Sequence, residues 1–266
     1  DNYQALRTGW DLILDLDCKT TEHGKLAAEA FILGLKEHGI KNFSIKFTGG
    51  TGFHIGIPWE SMPERIDFKP SKSLYPSLAR TICMYLSDYV KDSFESILLR
   101  RYSPSYLAKT LKLDLEKITT DTGIDPYKIV EVDPVLISPR HLFRMPYSIN
   151  MKSNLVSLPL EPNKIVDLKQ EKARPDNVKV TNGFLNSWDE NEASVLITEA
   201  LDWSAKQKKQ PQAAGKEVYY KRKVGEELFP PCIQLISKGI ADGRKRSVFI
   251  LLNFLKSMKW GQAEIE

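Results

Sequence analysis

Asp15 and Asp17 stand two residues apart in DLILDLD, a leucine- and isoleucine-rich run that ends in acids. On a strand, positions i and i+2 project to the same face, which sets the two carboxylates side by side. Carboxylates that close repel each other unless a cation lies between them. Mg²⁺ and Mn²⁺ take oxygen ligands, commonly a few carboxylates plus substrate phosphate. In nucleotidyl transfer such ions activate an attacking hydroxyl and neutralise leaving pyrophosphate. Taken alone, DLD reads first as a strand closed by solvated acids. Asp133, in IVEVDPVL, changes that balance, because a lone acid on an apolar strand is costly without a partner. It serves either as a third metal ligand or as a turn acid before Pro134.

Two further groups could handle phosphate. The run Thr48-Gly49-Gly50-Thr51-Gly52-Phe53-His54 is glycine-rich. Glycines let successive backbone N–H groups face one concavity and let phosphate come close. Thr48 and Thr51 would add hydroxyl donors, and His54 could donate to a phosphate oxygen. The simpler alternative is a hairpin with a satisfied histidine. The run is neither a P-loop nor GxGxxG before a helix. Downstream, residues 140–152 (RHLFRMPYSINMK) carry several cations among apolar spacers. Arg144 offers a planar fork for phosphate and Lys152 a point charge. These could equally be solvated cations at a sheet edge.

The elements that must position these groups follow from periodicity. Asp11 to Asp17 reads as a strand. Thr20 to His38 has helical spacing (Leu26, Ala27, Ala30, Phe31, Leu35) and stops at Gly39. Asn42 to Phe47 alternates Phe43, Ile45 and Phe47 against polar residues, and FHIGIP follows the glycine-rich turn as a second short strand. Tyr75 to Tyr102 predicts one long helical stretch. Residues 128–136 and 152–160 predict two more strands. The fold class is α+β, with a largely antiparallel or mixed sheet, flanking helices and a small C-terminal helical module. Three parts are expected: a catalytic domain over 1–203, a basic linker over 204–223 and a helical module over 224–266. In the linker, lysines, Arg222, Tyr219 and Tyr220 suit phosphates and stacked bases as well as a plain solvated tether.

Composition removes several classes. The 266 residues are 42% hydrophobic and 27% charged, as in an ordinary globular protein. No apolar run approaches a membrane span and the start is no signal peptide, so an intracellular location is expected. Cys18, Cys83 and Cys232 are far apart with no CxxC pair, which excludes a disulfide scaffold. A net charge of +4 is compatible with a polyanionic partner.

Together and in order, these motifs resemble the archaeo-eukaryotic primase superfamily. LILDLD resembles its first motif, FTGGTGFHI its Ser-Gly-x-x-Gly-x-His motif, and residues 130–159 its third region. The resemblance implies that Asp15, Asp17 and Asp133 bind two divalent ions, Mg²⁺ or Mn²⁺. It further implies that Thr48, Gly49, Gly52, His54, Arg144 and Lys152 bind the nucleotide. The expected partners are a single-stranded DNA template, nucleoside triphosphates and other primase or helicase domains or subunits, with no membrane. Three features depart from the family pattern: no cation lies between the glycines, Asn150 replaces a frequent histidine, and zinc-binding cysteines are missing. No zinc is therefore expected in this chain.

The tail, LFPPCIQLISKGIADGRKRSVFILLNFLKSMKW, resembles the helical opening of the large primase subunit's C-terminal domain. There Cys232 would be one ligand of an iron–sulfur cluster. No suitable partners are available, so the cluster is not expected and Cys232 reads as a small apolar residue on a buried helix. Only ten residues precede Asp11, where relatives carry more sheet, which implies a piece of a longer protein. The function implied is a primase-polymerase. The alternatives are the polymerase module of an end-joining repair system and a non-catalytic nucleic-acid-binding subunit.

Overall fold

The structure, a computed structural model, describes residues 6–132, 134, 137–139, 141–209, 223–240 and 243–265. The chain separates into two compact units, Asp1–Lys209 and Gln210–Glu266.

Alternation in three strands builds the first unit. β1 (Leu12–Cys18), β2 (Ser44–Phe47) and β3 (Phe53–Ile57) are joined antiparallel in the order β1-β3-β2. Leu14, Ile55 and Ile45 lie in register, as do Leu16, Phe53 and Phe47. These side chains are buried on one face, which α1 (Thr21–Glu37) covers with Ala27, Phe31 and Leu35. α1 starts where Thr20 accepts a hydrogen bond from the His23 N–H at 3.3 Å. A Cβ on Gly24 would lie 2.6 Å from Cys18 Sγ and 2.9 Å from Phe53 Cδ2. The helix thus approaches the sheet more closely than any side chain at that position allows. Alanine would gain about 0.5–1 kcal/mol of helix propensity, against an overpacking cost of about 1–3 kcal/mol. Gly24→Ala is therefore expected to lower the melting temperature by roughly 2–6 °C, readable by calorimetry.

The expected long helix over 75–102 is two helices, α2 (Ser77–Tyr89) and α3 (Lys91–Arg101), which meet at the buried Val90. A Cβ on Gly34 of α1 would come within 2.5 Å of Val90 Cγ1, so the break lies at the closest approach to α1. α4 (Pro104–Leu111) follows. The short strands β4 (Arg65–Ile66) and β5 (Lys69–Pro70) form a separate hairpin.

The two later strands are shorter than their patterns predict. β6 is only Val130–Glu131, after a 3₁₀ turn at Pro126–Lys128, and pairs with Asp17 and Cys18. Residues 152–160 split between two sheets. β7 (Ile149–Asn150) pairs with β8 (Leu155–Val156), and β9 (Pro159–Leu160) joins β2. Leu158 exchanges two backbone bonds with Phe47, at 2.9 and 3.0 Å. The main sheet thus runs β6-β1-β3-β2-β9, with every pairing antiparallel.

α5 (Ser194–Lys209) closes the unit and runs through Ser204–Lys209, where the composition reads as linker. In the second unit α6 (Pro231–Ser237), α7 (Arg244–Ser257) and α8 (Gln262–Ile265) gather around Phe229. The Phe229 ring lies 5.0 Å from Phe254 and 5.8 Å from Trp260. Cys232 is exposed, not buried, because the inward position of this one-turn-plus helix is taken by Ile233. Of the basic run, Lys223 sits over the Trp260 ring at 4.0 Å and pairs with Glu264. Residues 210–222, with Lys216, Tyr219, Tyr220, Lys221 and Arg222, lie outside the described residues. No helix among the described residues is long and apolar enough to cross a membrane.

Candidate active site

The sheet face opposite α1 carries the chemistry. The register that aligns the core also aligns Asp15 with His54 and His54 with Lys46. A row of acid, imidazole and ammonium thus crosses the three central strands. His54 Nε2 lies 3.3 Å from Asp15 Oδ1. A carboxylate only accepts, so Nε2–H donates and the neutral ring keeps Nδ1 as a lone pair. That nitrogen is buried with no partner among the described residues. Burial holds the His54 pKa below its ordinary value, and the Asp15 hydrogen bond opposes this only in part. Asp15 is half-buried, whereas Asp17, at the strand end, is exposed.

Lys46 escaped the sequence reading, although its polar place in the alternation of 44–47 was a signal. It is fully buried. Its Nζ donates to the Arg144 carbonyl at 2.7 Å and to Ser157 Oγ at 3.1 Å. The rings of Phe143 and Phe184 lie 5.4 and 5.6 Å away, and Phe143 also covers His54 at 4.3 Å. Lys46 therefore fixes the main chain that presents Arg144.

Burial pushes the Lys46 ammonium down to about 8, with the Asp15 charge acting against that shift. The ordinary value near 10.5 holds in the unfolded chain. Between about pH 8 and 10.5 the unfolded state keeps a proton that the folded state releases, so this group stabilises the fold as pH rises. Melting curves with chelator present should show wild type gaining on Lys46→Met from pH 8 to pH 10. A constant difference would mean that Lys46 titrates normally. The neighbouring Cys18 thiol is pushed up to about 12, mainly by burial and then by the Asp17 charge. It is no thiolate nucleophile at neutral pH.

The glycine-rich turn is tied down at both threonines. Thr48 Oγ1 donates to the Gly52 carbonyl at 3.1 Å and accepts from the Gly50 N–H at 3.3 Å. Thr51 Oγ1 donates to the Cys18 carbonyl. Both hydroxyl protons are thus used within the protein, contrary to their expected role as phosphate donors. The remaining donors are backbone N–H groups, since those of Gly49 and Thr51 have no partner among the described residues. Gly49 has a φ of +78°, and a Cβ there would meet the Leu155 carbonyl at 2.7 Å. A Cβ on Gly52 would meet the Leu16 carbonyl at 2.5 Å. Close backbone packing demands both glycines.

Above the turn, Ser153 Oγ donates to the Gly49 carbonyl, which pins the β7–β8 hairpin in place. That hairpin carries Lys152, and its Asn150 side chain accepts from the Lys152 N–H at 3.0 Å. The result is a cleft of about 410 Å³. Asp15, Asp17, Thr48, Gly52, His54, Arg144 and Lys152 all line it. Gly49 itself is not among the residues that line it. Among the described residues Arg144 is tethered only by Nη1 to the Ile149 carbonyl at 3.3 Å, which leaves the rest of its fork open. Asp133 lies outside the described residues. Among the described residues no group of three or more His, Cys, Asp or Glu side chains is arranged to hold a metal ion. Two carboxylates, an arginine and a lysine lining one cleft have the ligand chemistry to take a divalent cation and a polyphosphate.

The family described as DNA primase small subunit matches residues 14–162, more than half of the chain. That span runs from β1 through the turn, Arg144 and the hairpin to β9. No curated protein matches the chain.

Proposed function

The chain belongs to the DNA primase small subunit family, and from that premise we propose that it is a template-directed nucleotidyltransferase of the primase-polymerase type. One observation carries this reading: Asp15 and Asp17 of β1, His54 of β3, and Arg144 and Lys152 of a later segment line one cleft with the glycine-rich turn. The substrates are nucleoside triphosphates and a single-stranded DNA template.

The donor set suits hard divalent cations, because two carboxylates on one strand face offer oxygen ligands beside room for substrate phosphate. Asp15 and Asp17, together with Asp133, would hold two such ions. When bound, they lower the pKa of an attacking hydroxyl and offset charge on the leaving group. In the reaction, the 3′-oxygen of one nucleotide bonds to the α-phosphorus of the next triphosphate. The hydroxyl loses its proton, and the bond to pyrophosphate breaks. The protein's part is positioning and charge. Arg144 takes two phosphate oxygens with its fork, and Lys152 adds a point charge. The free N–H groups of the turn donate to the polyphosphate edge. His54 orients Asp15 by its hydrogen bond, and the Phe143 ring covers the imidazole.

We read the helices of the second unit as the counterpart of those that open the large primase subunit's C-terminal domain. The aromatic centre at Phe229, Phe254 and Trp260 supports a separately packed helical module. An iron–sulfur site at Cys232 would need three further ligands from outside these residues.

The test is incorporation of labelled nucleotides on a single-stranded DNA template, with Mg²⁺ or Mn²⁺, using both ribo- and deoxyribonucleotides. Template-dependent product is expected. Strand binding without any incorporation would favour the non-catalytic nucleic-acid-binding subunit.

A further inference from the structure

The cleft does not end at the turn. Gly50, Thr51, Asn150 and Lys152 also line a second cavity of about 550 Å³, whose far wall is Gln170, Glu171 and Arg174. Thr51, Gln170 and Glu171 are in turn shared with a third cavity of about 940 Å³. The three form one open groove, from the carboxylates past the glycine-rich turn to the start of α1. It is larger than a single nucleotide requires, since small-ligand pockets span roughly 300–1,000 Å³.

Its charge is biased. The two outer cavities are lined by Lys19, Lys25, Lys152, Lys169, Lys172 and Arg174 against three acids, Glu22, Asp167 and Glu171. Glu22 is already paired with Lys25 at 2.7 Å. Lys169, Lys172 and Arg174 project from a wall held rigidly in place. Ile165, Leu168 and Ala173 of that wall are buried in the core, and Gln170 Nε2 donates to Thr21 Oγ1 at 2.9 Å. The backbone that bears these cations is therefore held in place, and their side chains are exposed and free of ion pairs among the described residues, with Lys172 Nζ donating to the Asp167 carbonyl at 3.4 Å. Among the described residues no aromatic side chain lines these two cavities, so their walls suit a phosphate backbone and not stacked bases.

We infer that this groove is a track for the sugar–phosphate backbone of a single-stranded nucleic acid, leading away from the cleft with no preference for base sequence. The inference rests on the proposed function for its direction, because it places the templating stretch of the strand beside Asp15 and Asp17. Lys169, Lys172 and Arg174 bind strand phosphates, whereas Arg144 and Lys152 serve the nucleotide.

The test compares the full chain with Lys169→Gln/Lys172→Gln/Arg174→Gln and with Lys169→Arg/Lys172→Arg. Fluorescence anisotropy of labelled single-stranded DNA is followed over a salt series, alongside the KM of the nucleotide. Every strand phosphate that the protein no longer neutralises should flatten the log–log salt slope by about 0.7. The triple variant should therefore lose about 1.4–2 in slope and bind at least about tenfold more weakly at low salt. The nucleotide KM should stay within about twofold, and the arginine variant should bind like wild type. An unchanged slope in a folded triple variant overturns the track, as does equal loss in the charge-preserving variant. If wild type incorporates no nucleotide yet the triple variant still loses strand binding, the catalytic reading fails and the groove stands.

Discussion

Asp15→Asn is expected to abolish strand synthesis, by more than about a hundredfold, with the fold left in place. Residues that only orient a metal's ligands cost about 10–100-fold when changed, and a ligand itself costs more. Two opposed effects act on stability. Removing the carboxylate relieves its repulsion with Asp17 but also removes a negative charge that favours the buried Lys46 ammonium. Asparagine can still accept from His54 Nε2. The melting temperature of Asp15→Asn should therefore move little. Asp17→Asn, at an exposed position with no such partner, should hold or raise it. Primer synthesis and calorimetry on the same preparations separate the cases. Full activity in both variants would remove the nucleotidyl-transfer reading, and loss of activity together with the fold would make Asp15 a structural residue.

Arg144→Ala is expected to raise the nucleotide KM on the order of tenfold or more, the consequence of losing a charged hydrogen bond of about 1.5–3 kcal/mol. No cation lies between the outer glycines of the turn, where Gly50 and Thr51 stand. With both threonine hydroxyls committed to backbone carbonyls of the protein, the guanidinium is expected to carry a larger share of any phosphate binding. Its main chain stays in place in the variant, because Lys46 holds the carbonyl and not the side chain. The effect should thus fall on KM with little change in Tm. Thr51→Arg brings charge into the same cleft at the expense of the hydroxyl bond to Cys18, and should recover part of the loss in the Arg144→Ala background. If Arg144→Ala leaves KM unchanged and Thr51→Arg is harmful, the triphosphate lies elsewhere.

Local pattern determined much of this protein. Alternation in β1, β2 and β3 defined a core face, and placed Asp15 and Asp17 together on the other, because side-chain direction on a strand repeats every two residues. Helical spacing from Thr20 and the stop at Gly39 marked α1 within a residue of its ends. The motif order that resembles primases rested on such local signals, and the family match over 14–162 agrees with it. Tertiary structure decided the rest. Whether Lys46 is a solvated strand residue or a buried strut depends on Phe143, Phe184 and Ser157, which are about 100 or more residues away in sequence. Thr48 and Thr51 look like phosphate donors until Gly52 and Cys18 are seen to take their protons. The long apolar helix pattern over 75–102 carries no mark at Val90, where close packing on Gly34 coincides with the break. The 152–160 pattern likewise reads as one strand, because periodicity records which face a residue takes but not which sheet receives it. Burial, and with it the low pKa of Lys46 and His54, comes from segments distant in the chain, so composition and spacing could not supply it.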